Sequence, residues 1–240
     1  MSLGNALSYL TVLPLPFKKH IPLNHSVHFF PLVGAGMGSV LVLALLGLRT
    51  FLHPYLACMG AIALLEAMTG GIHLRAVAEL VDGRRTFPGS GFGPRADSGW
   101  KGATAVTFLI LAKAVSLSQI RLDWQPFAVL LVPILGRSSQ ALGIIFSRQR
   151  LASAGPAERA VKRRRIRALL FIALLLSVIF LFPLKASGIL LAQYLVLMAA
   201  AYRILNQRMQ GLTVQTLGSV AEGVETAFLA CCAALSAQMP

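Results

Sequence analysis

A short polar stretch of the chain carries residues that could bind a metal ion and a phosphate group. Arg75, Glu79 and Asp82 are spaced by four and three residues, which places them on one face of a helix. His73 precedes them, and Asp97 follows in the same polar segment. A row of carboxylates on a helix can supply the oxygen ligands of Mg²⁺, which neutralises phosphate charge in phosphoryl transfer. The competing interpretation is a solvated helix with ordinary surface charges.

The other acidic residues that could do chemistry lie within apolar runs. Glu222 and Glu225 begin the last run, and we predict that they converge with the carboxylates above at one cytoplasmic-facing site. Glu66 is more isolated, and we predict that it pairs inside the bundle with Lys113 or Arg137. Charged side chains inside a membrane span usually have a function. A purely structural ion pair is the alternative.

Composition determines the kind of protein that must hold these residues. The chain is 56% hydrophobic and 12% charged, with a mean hydropathy of +0.73, whereas soluble domains carry about 25% charged residues. We therefore predict an integral membrane protein with a single domain over residues 1–240. The net charge of +14 is explained by basic cytoplasmic loops and anionic lipid rather than by nucleic acid. The three cysteines form no CxxC pair, so neither a disulfide framework nor a zinc site is expected.

Seven apolar runs predict an all-α, polytopic bundle, because only helices or closed barrels satisfy their backbone hydrogen bonds in lipid. A helix needs about 20 residues to cross the hydrocarbon, so we expect about six to seven transmembrane helices. The runs cover residues 28–48, 54–69, 102–120, 126–146, 166–182, 186–204 and 216–237.

Basic residues give these spans an orientation. They concentrate in the segment before the first span and in every second connection after it, with Lys18, Arg84, the stretch 159–167 and Arg203 as examples. The positive-inside rule then places the N-terminus and the polar stretch at 70–83 on the cytoplasmic side of the membrane.

Several segments resemble the cobalamin synthase family, the adenosylcobinamide-GDP ribazoletransferases, nearly from end to end. MTGGIHLRAVAELVDG at 68–83 is similar to the family signature Thr-Gly-Gly-x-His-x-Asp-Gly-x-Ala-Asp-x-x-Asp-Gly. LSYLTVLPLP at 7–16, ADSG at 96–99 and GLTVQTLGSVAEGVE at 211–225 are similar to its N-terminal, Asp-Ser and C-terminal segments.

The resemblance implies an inner-membrane enzyme that attaches the lower nucleotide of cobalamin. Adenosylcobinamide-GDP would donate its adenosylcobinamide phosphate moiety to α-ribazole or α-ribazole 5′-phosphate, GMP would leave, and Mg²⁺ would be required. Metal ligands would be Glu79, Asp82 and Asp97, and catalytic residues would be His73 and Asp82. Substrate-binding residues would be Arg75, Ser98, Lys113, Arg137, Thr213, Thr216, Glu222 and Glu225.

The chain departs from the family pattern at three of its acids. Arg75 replaces the first signature Asp, Glu79 replaces the second, and Gln215 replaces the Asp of the C-terminal motif. Arg75 could grip phosphate directly as a bidentate donor, although it cannot bind Mg²⁺. One alternative is therefore a catalytically impaired relative with a corrinoid-binding or assembly role. Another is a small membrane transporter, which would line its substrate path at mid-bilayer depth. A second copy of the chain and other enzymes of the cobalamin pathway are further candidate partners.

Overall fold

The chain folds into a bundle of α-helices in the computed structural model. It describes residues 2–12, 26–83, 99–146, 166, 169–170, 172–174, 176–208 and 214–238. The helices used below are α1 Ser2–Leu10, α2 Phe30–Arg49, α3 Pro54–Thr69, α4 Ile72–Val81, α5 Trp100–Gln119, α6 Gln125–Phe146, α7 Leu184–Arg208 and α8 Val214–Gln238. No strand occurs within these described ranges, which confirms the all-α prediction.

Six of the seven predicted runs coincide with these helices within a few residues. Five helices in the described part of the chain are long and apolar enough to cross a membrane, and the bent pair formed by α3 and α4 gives a sixth span if counted as one. The remaining predicted run, 166–182, is the fifth along the chain and is described only in part. Its described portion includes the apolar helical segment Ile172–Leu181, which is shorter than a span, so this span stays a prediction.

A break between α3 and α4 replaces what would otherwise be one continuous span. Pro54 starts α3, where its missing N–H is harmless. Gly70 and Gly71 then adopt left-handed φ angles of 63° and 64°, which glycine reaches without steric cost. The Gly71 N–H donates to the carbonyl of Glu66 at 3.0 Å, closing the last turn of α3. The chain therefore turns by 88° before α4 begins.

Helix α6 lies at the centre of the bundle. Of the residues in its apolar stretch, 83% are buried, against 22% in α5 and in α7. Helix α2 approaches it through Gly34 and Gly38, which lie one turn apart. A Cβ at Gly34 would come within 2.5 Å of the Pro133 carbonyl oxygen, and one at Gly38 would overlap that of Leu130. The two small residues therefore allow the close backbone packing typical of membrane helices.

Candidate active site

A buried lysine connects three helices through their carboxylates. The side chain of Lys113 on α5 has no exposed surface, and its Nζ lies 3.1 Å from Oε1 of Glu66 on α3. The same Nζ lies 2.6 Å from Oε2 of Glu222 and 2.8 Å from Oε2 of Glu225, both on α8. An ammonium group has three N–H donors, so Lys113 has none left for a substrate phosphate. The predicted pairing of Glu66 with Lys113 is confirmed.

Arg137 on α6 brings a fourth helix to this cluster. Its Nη1 donates to Oε1 of Glu225 at 3.3 Å, and its Nη2 lies 3.9 Å from Sδ of Met37 on α2. Its Nε is buried and has no hydrogen-bond partner among the described residues. We call Glu66, Lys113, Arg137, Glu222 and Glu225 the ion cluster. It combines three acidic with two basic residues, and pairing is what makes such groups tolerable inside a membrane.

A glycine on α6 makes room for one of these carboxylates. The Gly136 position faces Glu225, and a Cβ there would overlap the Glu225 carboxylate. Glu222 and Glu225 are three residues apart on α8 and so share one face of that helix. The two glutamates can therefore both point at Lys113 while α8 packs closely on α6.

His73 lies next to the ion cluster, at the buried N-terminal end of α4, which we call its inner end. It is buried, and Nε2 of Gln140 on α6 lies 3.3 Å from its Nδ1 and 3.4 Å from its Nε2. Gln140 follows Arg137 by three residues, about one helical turn. On the other side, Gly218 of α8 leaves the space that the imidazole occupies, because a Cβ there would lie 3.0 Å from His73 Nδ1.

The C-terminal end of α4 carries Glu79 and Asp82, which we call the acid row. Nε of Arg75 donates to Oε1 of Glu79 at 2.8 Å, and the Arg75 side chain is 81% exposed. Asp82 ends the helix, and its Oδ1 accepts the backbone N–H of Gly102 at 2.8 Å. Asp82 therefore satisfies one of the unpaired N–H groups in the first turn of α5. Gly102 is required for this contact, because a Cβ would lie 2.7 Å from Asp82 Oδ2 and from the Ala78 carbonyl oxygen.

The sequence predicted a single site, but the structure divides its residues between two separate locations. Asp82 contacts Gly102, whereas Glu222 and Glu225 contact Lys113 eleven residues further along α5, about 16 Å along the helix axis. The expected convergence of Glu222 and Glu225 with Glu79 and Asp82 is therefore wrong. The physical reason is charge, because Lys113 offers the two glutamates a buried positive partner, whereas the end of α4 carries two further carboxylates.

Helix α4 joins the two places. His73 adjoins the ion cluster, and Asp82 lies nine residues later at the start of α5, a separation of about 13 Å along the axis. These two candidate catalytic residues therefore cannot act on the same reacting atom. One bound molecule could contact both ends of α4 only through different parts of itself.

The carboxylates of the acid row suit a hard cation such as Mg²⁺. Oε2 of Glu79 is buried and has no partner within the described ranges, and carboxylate oxygen is the ligand that Mg²⁺ prefers. Over those ranges, no group of three or more His, Cys, Asp or Glu side chains could hold a metal by itself. Mg²⁺ commonly takes one or two carboxylates and completes its shell with substrate phosphate and water. Glu79 and Asp82 fit that pattern.

Three of the predicted site residues, Asp97, Ser98 and Thr213, lie outside the described residues. Thr216 is buried in the first turns of α8. Sequence reasoning missed Gln140 and Gly218, which both contact His73. The signal for Gln140 was its spacing of three residues from Arg137, a buried polar residue one turn from a buried charge.

The fold and the ion cluster define a class of protein. The chain is a polytopic membrane protein built as a helical bundle, with charged side chains paired in its interior and a broken helix leading to an acid row.

Comparison with known proteins identifies the family. The sequence pattern of the family described as Cobalamin-5-phosphate synthase matches residues 2–233, and the chain belongs to that family. It is similar to the adenosylcobinamide-GDP ribazoletransferase of Caldanaerobacter subterraneus subsp. tengcongensis, with 27% identity over 230 residues and 92% of each chain covered. The protein of the same name from Syntrophobacter fumaroxidans is 29% identical over 252 residues, covering 97% of this chain and 98% of the relative. None of the solved structures matches the chain.

Proposed function

We propose that the chain works as an adenosylcobinamide-GDP ribazoletransferase in the nucleotide-loop step of cobalamin biosynthesis. It transfers the adenosylcobinamide phosphate moiety of adenosylcobinamide-GDP to α-ribazole or to α-ribazole 5′-phosphate, giving adenosylcobalamin or its phosphate. The observation that carries this conclusion is the family match over residues 2–233, together with relatives of that name that align over nearly the whole chain. A catalytically impaired relative and a transporter are not favoured by these matches.

The reaction exchanges one phosphorus–oxygen bond for another. The α-ribazole hydroxyl oxygen bonds to the phosphorus that carries adenosylcobinamide. The bond from this phosphorus to the bridging diphosphate oxygen breaks, and GMP leaves with that oxygen. The hydroxyl proton needs an acceptor beside the phosphorus, and Asp82 at the end of α4 is our candidate.

Glu79 and Asp82, with Asp97, are the residues that would hold Mg²⁺. A bound Mg²⁺ would neutralise diphosphate charge and stabilise the leaving group. The unpartnered Oε2 of Glu79 in the described part of the chain supports this assignment. Arg75 would contact a phosphate of the substrate, because its exposed guanidinium keeps N–H donors beyond the one given to Glu79.

The residues of the ion cluster and His73 have other roles in this proposal. Lys113 pairs with Glu66, Glu222 and Glu225, and Arg137 pairs with Glu225. We therefore assign both basic residues to holding α3, α5, α6 and α8 together. His73 is assigned to a hydrogen bond with a substrate oxygen that reaches the inner end of α4. Ser98, Thr213 and Thr216 remain candidates for the wall of the substrate site.

The location of the reaction follows from the charge pattern. The chain crosses the membrane several times, and we propose the cytoplasmic membrane of the cell, with the N-terminus and the acid row facing the cytoplasm, because the basic segments gather on that side. The basic stretch 159–167 is a candidate contact for other enzymes of the pathway or for a second copy of the chain.

A turnover experiment tests the proposed function. The full chain in lipid nanodiscs is supplied with adenosylcobinamide-GDP and α-ribazole, with and without Mg²⁺, and cobalamin and GMP are measured. We expect Mg²⁺-dependent product that falls about 100-fold or more in Glu79→Gln. The control Asp123→Asn removes an acid from the connection between α5 and α6 and should keep wild-type turnover.

Two results would separate the proposal from its alternatives. Folded protein that binds the corrinoid without making product indicates a binding role instead. In that case an Arg75→Asp variant, which restores the acid of the family signature, distinguishes a weakened enzyme, whose turnover rises, from a protein that has no catalytic function.

A further inference from the structure

Gln140 is a buried polar residue whose side-chain amide lies against the His73 ring. The residue is 3% exposed, and its Nε2 lies 3.3 Å from Nδ1 and 3.4 Å from Nε2 of His73. Its Oε1 is buried and has no hydrogen-bond partner in the described part of the chain. Burying an amide in a membrane bundle is costly unless it is used. The geometry indicates that the role of Gln140 is its contact with His73.

Gly218 confines the same ring from the opposite side. A Cβ at this position of α8 would lie 3.0 Å from His73 Nδ1 and 3.4 Å from His73 Cα. These distances leave no room for a side chain unless the imidazole moves. The ring is therefore held between an amide on α6 and the bare backbone of α8.

We propose that Gln140 and Gly218 are positioning residues that hold His73 as a neutral imidazole in one orientation. An amide N–H can be accepted only by a ring nitrogen that carries no proton, so the second nitrogen keeps its hydrogen. His73 then serves as a hydrogen-bond donor to a substrate oxygen rather than as a base. This inference rests on the proposed function, because it concerns the part of the substrate that reaches the inner end of α4.

The first test reads the ring directly and does not depend on turnover. The full chain is labelled with ¹⁵N-histidine in nanodiscs, and the His73 signals are assigned by their loss in His73→Asn. We expect the wild type to show a neutral tautomer. Gln140→Met keeps a side chain of similar length without the amide, and should shift the His73 signals. The control Ser139→Ala, which removes a hydroxyl bonded to the Gly136 carbonyl of its own helix, should leave them unchanged.

A second pair of variants covers the possibility that Gln140→Met misfolds. Gly218→Ala should shift the His73 signals because the added Cβ displaces the ring. Its control is Gly223→Ala, on the same helix, where a Cβ would meet nothing within 4 Å. Unchanged His73 signals in both Gln140→Met and Gly218→Ala, or a doubly protonated ring in the wild type, overturn the proposal.

Turnover then asks whether the position of the ring matters to the reaction. We expect kcat to fall about tenfold or more in Gln140→Met, as for residues that orient metal-bound histidines, with KM changed less. The loss should not add to that of His73→Asn, because both act through one ring. Full activity of His73→Asn overturns the role in the reaction even if the signals shift. A wild type that makes no product refutes the proposed function instead, and the spectra still report on the contact.

Discussion

Nζ of Lys113 lies 2.6 Å from Oε2 of Glu222, although the two residues are on different helices and both side chains are almost completely buried. This pair, with Glu66 and Glu225, accounts for every N–H donor of the ammonium group. The ion cluster is therefore better suited to fixing the helices than to binding a phosphate.

Removing the lysine should destabilise the bundle. Lys113→Met leaves three glutamates without their shared partner, and breaking a buried ion pair from one side costs about 3–5 kcal/mol in soluble proteins. We expect a clear fall of Tm in detergent, measured by intrinsic fluorescence. Lys113→Met combined with Glu222→Gln should recover part of the loss. The exposed pair of Arg121 and Asp123 provides the control, since Asp123→Asn should change stability by about 1 kcal/mol at most. A Tm unchanged in Lys113→Met would contradict the structural role.

Asp82 should show two separable contributions. Asp82→Asn keeps an oxygen that can accept the Gly102 N–H but removes the negative charge, so Tm should stay near that of the wild type while Mg²⁺-dependent turnover is lost. Asp82→Ala removes the acceptor as well, and losing such a cap costs about 1 kcal/mol. Parallel measurements of Tm and turnover check this. Wild-type turnover in Asp82→Asn would remove this residue from the metal site.

Arg75 should compete with the metal for Glu79. Their exposed pair is worth about 0.5 kcal/mol or less, so Arg75→Gln should leave Tm nearly unchanged. Without the positive charge, half-maximal turnover should require less Mg²⁺, whereas KM for adenosylcobinamide-GDP should rise. The Mg²⁺ titration is compared with that of Arg121→Gln, which should match the wild type. An unaltered Mg²⁺ requirement in Arg75→Gln would argue against a metal at Glu79.

The contact of α2 with α6 should be sensitive to a single methyl group. Gly38→Ala forces a Cβ onto the Leu130 carbonyl oxygen, so the helices must separate and Tm should fall. Gly36→Ala, on the same helix, meets nothing within 4 Å and should leave Tm unchanged or raise it, because alanine is the better helix former. Equal effects of the two variants would show that the close packing is not what matters at Gly38.

Hydropathy was sufficient to predict most of the helices. The second run, 54–69, matches α3 at both ends because Pro54 and the glycine pair mark them in the sequence. The pairing of Glu66 with Lys113 was also predictable, since few opposite charges occur inside the apolar runs. The 88° turn after α3 was not predictable from the sequence. A double glycine indicates a break, but its angle depends on the packing of α4 against α5 and α8.

The site was harder to predict, because spacing in the sequence does not give depth in the bundle. Glu222 and Glu225 begin the last predicted run and look close to the membrane surface. In the fold they lie eight and eleven residues after the start of α8, beside the buried Lys113. Asp82 likewise has the sequence spacing expected of a metal ligand. Its hydrogen bond with the Gly102 N–H could not be predicted, because α5 starts only after an intervening segment.

The ion cluster also determines when helix α5 becomes stable during synthesis and membrane insertion. Lys113 is synthesised 109 and 112 residues before its partners Glu222 and Glu225. A lone lysine at the centre of a membrane helix costs about 2.5–3.5 kcal/mol on insertion scales, and Glu66 alone offers an early partner. Helix α5 therefore reaches its stable environment only when α8 packs against it. A ribosome-stalled or truncated chain that lacks α8 should consequently be a substrate for membrane quality control, even though its earlier helices are already inserted.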